Sequence, residues 1–254
     1  LENANQRTTK AHWESVWLRP PRMRLPSPFN LGTFNAKRLL RCHVIPGMKF
    51  IEIGCAPGKM LAWVAKVLGA EVAGLDSSEC GMLYTRQLFD ALGIQADLRK
   101  EDIDSHTFEP GTFDVVYSAG LIEHFSDPRP AVRVHAELAR PGGKIIITIP
   151  NLSGWWAVPT KLLDPSVLDM HNLKMMNESA LSALAPSDIA SNVHAYRGGH
   201  FSVQHAVPVR KLPDLVSQAL MHFGDLMGFL QLVEVKFLAP LFVLEFTRGG
   251  KHVV

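Results

Sequence analysis

Short apolar runs alternate with longer amphipathic ones through the middle of the chain. Phe50-Ile51-Glu52-Ile53 is a compact run that predicts a buried strand. Lys59 to Leu68 has helical spacing and stops at Gly69. Glu71 to Leu75 then reads as a second strand, and Cys80 to Leu92 as a second helix ended by Gly93. Residues 95–99 supply a third strand and Phe113 to Tyr117 a fourth. Pro130 to Ala139 predicts a helix halted by Pro141-Gly142-Gly143, and Lys144 to Ile149 a fifth strand halted by Pro150. Such alternation predicts an α/β fold, a parallel sheet with helices on both faces. Ligands on such a sheet bind beyond the carboxyl ends of the strands, so the loops after Ile53, Leu75 and Tyr117 are the ones to read for chemistry.

The two ends of the chain break this rhythm. A helix is expected near Ala11 to Leu18, then a loop rich in proline (Pro20, Pro21, Pro26, Pro28), then a helix at 35–42. Residues 1–42 are therefore expected to form a segment that covers the site, ahead of a main domain at 43–254. After Pro150 the alternation stops. Residues 151–225 are irregular and rich in His, Pro and Met, with a helix expected at Glu178 to Leu184, and are expected to be a substrate-binding insertion. Leu230 to Phe237 and Leu241 to Phe246 are predicted to pair antiparallel, because the short turn between them leaves no room for a helical crossover.

Composition narrows the class without deciding it. With 254 residues, 47% of them apolar, the chain can bury a core without disulfides. Cys42, Cys55 and Cys80 form no CxxC or zinc pattern, which fits reduced thiols in a cytoplasmic protein. The formal charge of +2 is too small to imply nucleic acid, although Arg19, Arg22, Arg24, Lys37, Arg38 and Arg41 gather early. Leu1 to Lys10 lacks the apolar core of a secretion signal. No stretch reaches the roughly 18 unbroken apolar residues of a membrane span. Leu212 to Leu232 is expected to be a buried helix, with an amphipathic surface for a lipid substrate as the alternative. The expected partner is a small-molecule acceptor, with no nucleic acid, no stable membrane insertion, and a homodimer as the assembly to test.

The loop after the first strand reads Gly54-Cys55-Ala56-Pro57-Gly58, preceded by Glu52, and the second strand ends at Asp76-Ser77. Small residues let the backbone turn sharply and approach a ligand. An acidic side chain at the end of the second strand suits two ribose hydroxyls. A nicotinamide site would show GxGxxG against a pyrophosphate. Here the spacing is Gly54-x-x-x-Gly58, and the carboxylate of Glu52 would repel a pyrophosphate but suits a ligand bearing an ammonium and a sulfonium.

Four ordered blocks, Glu52 to Gly58, Gly74-Leu75-Asp76, Phe113 to His124 and Leu138 to Lys144, make the chain from about Phe50 to Asn151 resemble class I S-adenosylmethionine-dependent methyltransferases, in the small-molecule branch of ubiquinone-type O-methyltransferases. The resemblance implies a Rossmann-like seven-stranded sheet of order 3-2-1-4-5-7-6 with strand 7 antiparallel, strands 6 and 7 coming from the two closing runs. It implies S-adenosyl-L-methionine as cofactor. Glu52, Gly54, Cys55, Ala56 and Gly58 would hold the methionine part, Asp76 and Ser77 the ribose, Asp102 and Ile103 the adenine, and Ser118, Ala119 and Gly120 would face the sulfonium. One departure is Ala56, where the family usually has glycine. Ala56-Pro57-Gly58 is similar to the ribose methyltransferases of ribosomal RNA, so an RNA methyltransferase stands as an alternative, and a non-catalytic cofactor-binding module as another.

Methyl transfer is an in-line displacement that needs the acceptor atom roughly 3–3.5 Å from the methyl carbon. A hydroxyl acceptor calls for a general base, most often histidine. His124, after the fourth strand, is the first candidate, and His171 and His200 are the alternatives. No metal is expected, although Glu123 either orients His124 or ligates a metal as in some relatives. Asn151, Trp155, Trp156, His171, Asn172, His194, Tyr196, His200, Phe201 and His205 are the expected acceptor pocket. The absence of Asn-Pro-Pro-Tyr or Asp-Pro-Pro-Tyr after the fourth strand favours oxygen over an amino acceptor, so the expected reaction is O-methylation of a small molecule, a sugar-containing, lipid-linked or natural-product intermediate.

Overall fold

Seven strands pair in one sheet in the order β3-β2-β1-β4-β5-β7-β6. They are β1 (Lys49–Ile53), β2 (Glu71–Leu75), β3 (Ala96–Arg99), β4 (Phe113–Ala119), β5 (Ala139–Pro150), β6 (Ala190–Gly198) and β7 (Leu241–Arg248). The computed structural model describes residues 5–18, 20–21, 23–27, 31–200, 216, 219 and 236–250. β1 to β5 run parallel, and β7 lies antiparallel to both β5 and β6.

Period-two alternation within the strands sends side chains to two cores. Ile51, Ile53, Val116, Ile145 and Ile147 pack on one face with Ala131, Val132 and Ala136 of helix α5. Phe50, Val115, Tyr117 and Ile146 pack on the other with Leu40, Leu61, Met82 and Phe89. The helices on that second face are α2 (Leu31–Arg41), α3 (Lys59–Trp63, running on as one π turn to Leu68) and α4 (Glu79–Leu92); α1 spans Lys10–Val16 and α5 Arg129–Leu138. Helix α4 starts where the Ser78 side chain accepts the Gly81 N–H, and stops at Gly93 in the left-handed conformation. After β5 the described helices are short: α6 (Ala157–Leu163), α7 (Ser166–Asp169) and α8 (Glu178–Ser182).

Two expectations are corrected. Strand 6 comes from Ala190–Gly198, inside the stretch read as an insertion, and not from the run beginning at Leu230. Residues 230–235 lie outside the described residues, and Lys236–Leu238 is a 3-10 turn. Helix α5 ends at Leu138, before the Pro-Gly-Gly, because β5 already begins at Ala139 and pairs with Phe113 before a register shift. Pro141, Gly142 and Gly143 lie within β5 and do not end the helix, because an irregular strand accommodates them. The spans from Phe201 to Pro208 and Leu212 to Leu232 lie outside the described residues, apart from 216 and 219. No described helix is long and apolar enough to cross a membrane.

Candidate active site

The backbone turns out of β1 at Gly54, whose φ of +74° is the left-handed region that favours glycine. The N–H groups of Gly54 and Cys55 both donate to the Leu75 carbonyl, at 2.8 and 3.1 Å, which pins the loop to the end of β2. Gly58 has φ +78°, and a Cβ there would stand 2.6 Å from Thr85 Cγ2, so only glycine lets α3 begin this close to α4. Asp76 faces the loop from β2. Its Oδ2 accepts the Ala56 N–H at 3.1 Å and its Oδ1 the Ser78 N–H at 2.9 Å. Each oxygen keeps further accepting capacity. Beyond them opens a cavity of about 280 Å³, walled on this side by Gly54, Ala56, Asp76, Ser77, Asp102 and Ile103. The Asp102 carboxylate accepts the Asp104 N–H and starts the turn that buries Ile103 against the core.

The opposite wall has two sources. Ala119, Gly120, Leu121, His124 and Phe125 come from the end of β4 and its loop. The rest is an N-terminal strap. Arg7 N–H donates to the His124 carbonyl and Ser126 N–H to the Asn5 carbonyl, both at 2.7 Å, which fastens one end. At the other end the Glu14 carboxylate accepts the Glu79 N–H at 2.7 Å and the Cys80 N–H at 3.1 Å. A carboxylate there satisfies first-turn donors of α4 and complements the helix dipole. Between these anchors Trp13, Val16 and Trp17 turn one face of α1 onto the cavity. Gly81 makes the notch for it: a Cβ there would meet Trp17 Nε1 at 2.8 Å and Ala56 Cβ at 2.6 Å.

Comparison with known proteins agrees with this geometry. Residues 51–147 match the model of the "Methyltransferase domain" family. The ubiquinone biosynthesis O-methyltransferase of Azoarcus sp. (strain BH72) is 32% identical over 108 residues, 42% of this chain and 46% of that protein. Its Escherichia coli counterpart (strain K12 / DH10B) is 32% identical over 109 residues, 42% of this chain and 45% of that protein. The matched region thus spans less than half the length of these relatives. Residues 51–147 are a class I methyltransferase domain. Solved structures extend the likeness of fold to most of the chain. The Haemonchus contortus phosphoethanolamine N-methyltransferase 2 complex with S-adenosylhomocysteine superposes with TM-score 0.59 at 15% identity, covering 84% of this chain and 52% of that one. A protein of echinomycin biosynthesis that converts a disulfide bond into a thioacetal gives 0.63 at 18% identity, covering 96% and 93%.

The methyltransferase domain places the residues anticipated from sequence in two groups. Gly54, Ala56, Asp76, Ser77, Asp102, Ile103, Ala119, Gly120 and His124 line the cavity. Glu52, Cys55, Gly58 and Ser118 stand behind its wall. Glu52 is buried, accepts a backbone bond from Leu61, and leaves Oε2 without a hydrogen-bond partner. Burial pushes its carboxyl up to about 8. The Cys55 thiol packs toward Met82, away from the cavity, and burial pushes it well up. The Ser118 hydroxyl donates to His135 Nε2 at 2.8 Å, because His135 Nδ1–H already donates to the Ala131 carbonyl. Asp76 is also held up, chiefly by burial.

None of the described residues expected in the acceptor pocket lines this cavity. Among the described residues, no cavity-lining residue lies after Phe125. Asn151 and Trp155 bond instead to the carbonyls of Ala239 and Phe237, Asn172 to those of Phe125 and Ser126, and Tyr196 to Glu245. His194 is exposed on β6. His200 sits against Arg38, Asn35 and Phe34, remote from the cavity lining. Phe201 and His205 lie outside the described residues. Residues 1–42 were expected to cover the site, without any lining residue named there; the signal was Trp13, Val16 and Trp17 at helical spacing, an apolar stripe with no neighbouring element to pack on.

His171 does reach the site, from behind. Its ring lies 4.6 Å from that of His124, and Trp13 meets His124 edge-on at 4.9 Å. Burial pulls His124 down to about 3 and lowers His171, so both rings are neutral near pH 7. Glu123 beside them is fully buried and pushed up to about 8 by that burial.

Proposed function

We propose that this chain transfers a methyl group from S-adenosyl-L-methionine to an oxygen of a small molecule. The observation that carries this reading is the Asp76 carboxylate, clamped by the Ala56 and Ser78 N–H groups at the cavity wall with accepting capacity left over. That arrangement suits two ribose hydroxyls, with Asp102 and Ile103 next along the wall for the adenine edge and face. The bound cofactor would supply the electrophilic methyl carbon. Glu52 ties the end of β1 to α3 and offers a buried carboxyl whose charge an ammonium nearby would favour. The chain's part is to orient and to exclude water.

The strap supports a small acceptor, because it closes the cavity with Trp13, Val16 and Trp17 where a polymer would need an open groove. His124 is proposed to shape the inner end of the cavity and not to serve as the base. A ring held at about 3 is a weak proton acceptor near neutral pH. The acceptor we propose is therefore a hydroxyl acidic enough to ionise with little help, phenolic or enolic, in keeping with the oxygen acceptors of the similar ubiquinone biosynthesis O-methyltransferases. We place the protein in the cytoplasm, in line with its unpaired cysteines.

Calorimetric titration with S-adenosylmethionine and S-adenosylhomocysteine tests the cofactor. Wild type should bind both, and Asp76→Ala should weaken binding by about 10- to 100-fold, the worth of hydrogen bonds to a charged group. Failure of the wild type to bind either would overturn the reading. Turnover of a phenol panel but not of matched aliphatic alcohols is the expected second result.

A further inference from the structure

Two buried polar groups occupy neighbouring positions near the carboxyl end of the sheet, and both are unpaired. Glu52 Oε2 and the Tyr117 hydroxyl have no hydrogen-bond partner. Both residues are buried, Tyr117 completely. An unpaired polar atom in a protein interior costs free energy, so two at one place call for a physical reason.

Their placement follows from the strands. Glu52 on β1 and Tyr117 on β4 are register partners in adjacent parallel strands. Side chains alternate across a sheet, so Glu52 shares the face of Phe50, and the Tyr117 ring packs there with its centroid 6.1 Å from that of Phe50. Burial, and then the charge of Glu52, hold the Tyr117 hydroxyl above the ordinary range of a phenol. The other groups facing the pair leave it unsatisfied. Leu61 of α3 gives Glu52 one N–H, and Asp76 of β2 only repels its charge. The Cys55 thiol packs toward Met82. Thr148 of β5 turns its own hydroxyl to the Ser118 carbonyl at 3.4 Å. Among the described residues that act on either group there is no cation.

We propose that Tyr117 is a positioning residue of the cofactor site: its hydroxyl turns to Glu52 and holds that carboxyl in the charged form when the ammonium end of the cofactor binds. The inference rests on the proposed pairing of Glu52 with that ammonium. In the free protein burial keeps Glu52 protonated near neutral pH. An arriving ammonium favours the carboxylate, and the carboxyl proton leaves to solvent. The carboxylate can accept more than the Leu61 N–H, and the Tyr117 O–H, free to rotate about its C–O bond, is the donor beside it. Cofactor binding is thereby linked to release of a proton, and Tyr117 sets how complete that release is.

The test is calorimetric titration of the full chain at about pH 6.5, where an α-ammonium is charged, in two buffers of different ionisation enthalpy. The probes are S-adenosylhomocysteine and methylthioadenosine, which keeps the adenine and ribose but lacks the amino-acid end. Wild type should release about one proton on binding the first and none on binding the second. Tyr117→Phe keeps the ring against Phe50. It should bind S-adenosylhomocysteine about 10-fold more weakly, the worth of a hydrogen bond to a charged group, and release less of the proton. Glu52→Gln should abolish the release. Both variants should bind methylthioadenosine as wild type does, a readout that a general loss of packing would move. If wild type binds S-adenosylhomocysteine without releasing a proton, the proposal falls and the cofactor reading stands, and this holds whether or not a variant folds. The same follows if Glu52→Gln still releases the proton, if Tyr117→Phe matches wild type in affinity and release, or if it loses affinity for both ligands alike. A wild type that binds neither ligand overturns the cofactor reading and this inference with it.

Discussion

Buried ionisable side chains give this molecule an unusual pH profile. Glu52 and Glu123 sit at about 8 in the folded protein against an ordinary 4.5, so the folded state holds protons that the unfolded state has released. Stability is then lost as pH rises from about 4.5 through about 8. His124 and His135 sit at about 3 and about 4 against an ordinary 6.5, so the unfolded state takes up protons first and stability is lost as pH falls below about 6.5. Asp114 and Glu245, held low by their hydrogen-bond and ion-pair partners, add to the acid loss. The melting temperature should therefore peak in the window between 4.5 and 6.5 set by these groups and fall by pH 8. Glu123→Gln should flatten the alkaline side. A profile that still climbs toward pH 8 would contradict the burial assigned to both glutamates. Sequence blocks were enough to single out Asp76 and Glu52. They could not show that Cys55 faces Met82, since a loop residue's direction depends on the packing of α4, which lies some 25 residues on.

Elements fail or hold at their ends. Gly58→Ala should destabilise the protein by about 1–3 kcal/mol, because the new Cβ meets Thr85 and the backbone is left-handed. A thermal or urea melt would show it. Glu14→Gln keeps a cap on α4 but removes the charge, and should loosen cofactor binding by several-fold, through a loss of about 0.3–1 kcal/mol at the helix terminus. Unchanged affinity would mean that the strap contributes no wall to the bound state. Here the sequence was least legible. Glu14 lies 65 residues from the helix it caps, and no local pattern announces such a pairing. β6 was missed for a different reason. It is an edge strand, mostly half-exposed or exposed, broken by a register shift near Asn192, so it lacks the apolar run that made Leu230 to Phe237 look like a strand.

For the molecule as a whole, ligand binding and folding are linked. S-adenosylhomocysteine at a hundred times its dissociation constant should stabilise the chain by about 2.7 kcal/mol, seen as a raised unfolding midpoint, and Asp76→Ala should cut that gain to about 0.4–1.4 kcal/mol at the same ligand concentration. The order of the whole sheet was legible because four motif blocks fell at the ends of successive parallel strands, where topology puts ligand loops. The stretch after Pro150 was less so, because Asn151 and Trp155 are held by the carbonyls of Ala239 and Phe237, more than eighty residues on. One feature of the sheet reaches beyond the finished fold. β7 follows β6 in sequence, yet it lies between β5 and β6. A ribosome adding about 5–20 residues per second spends roughly 3–10 s between Gly198 and the end of β7. Throughout that interval Ile145, Ile146 and Ile147 offer an unpaired edge and β6 has no sheet to join. The nascent chain is therefore most prone to aggregate between the synthesis of β6 and that of β7, and emergence of β7 is the event that seals the edge.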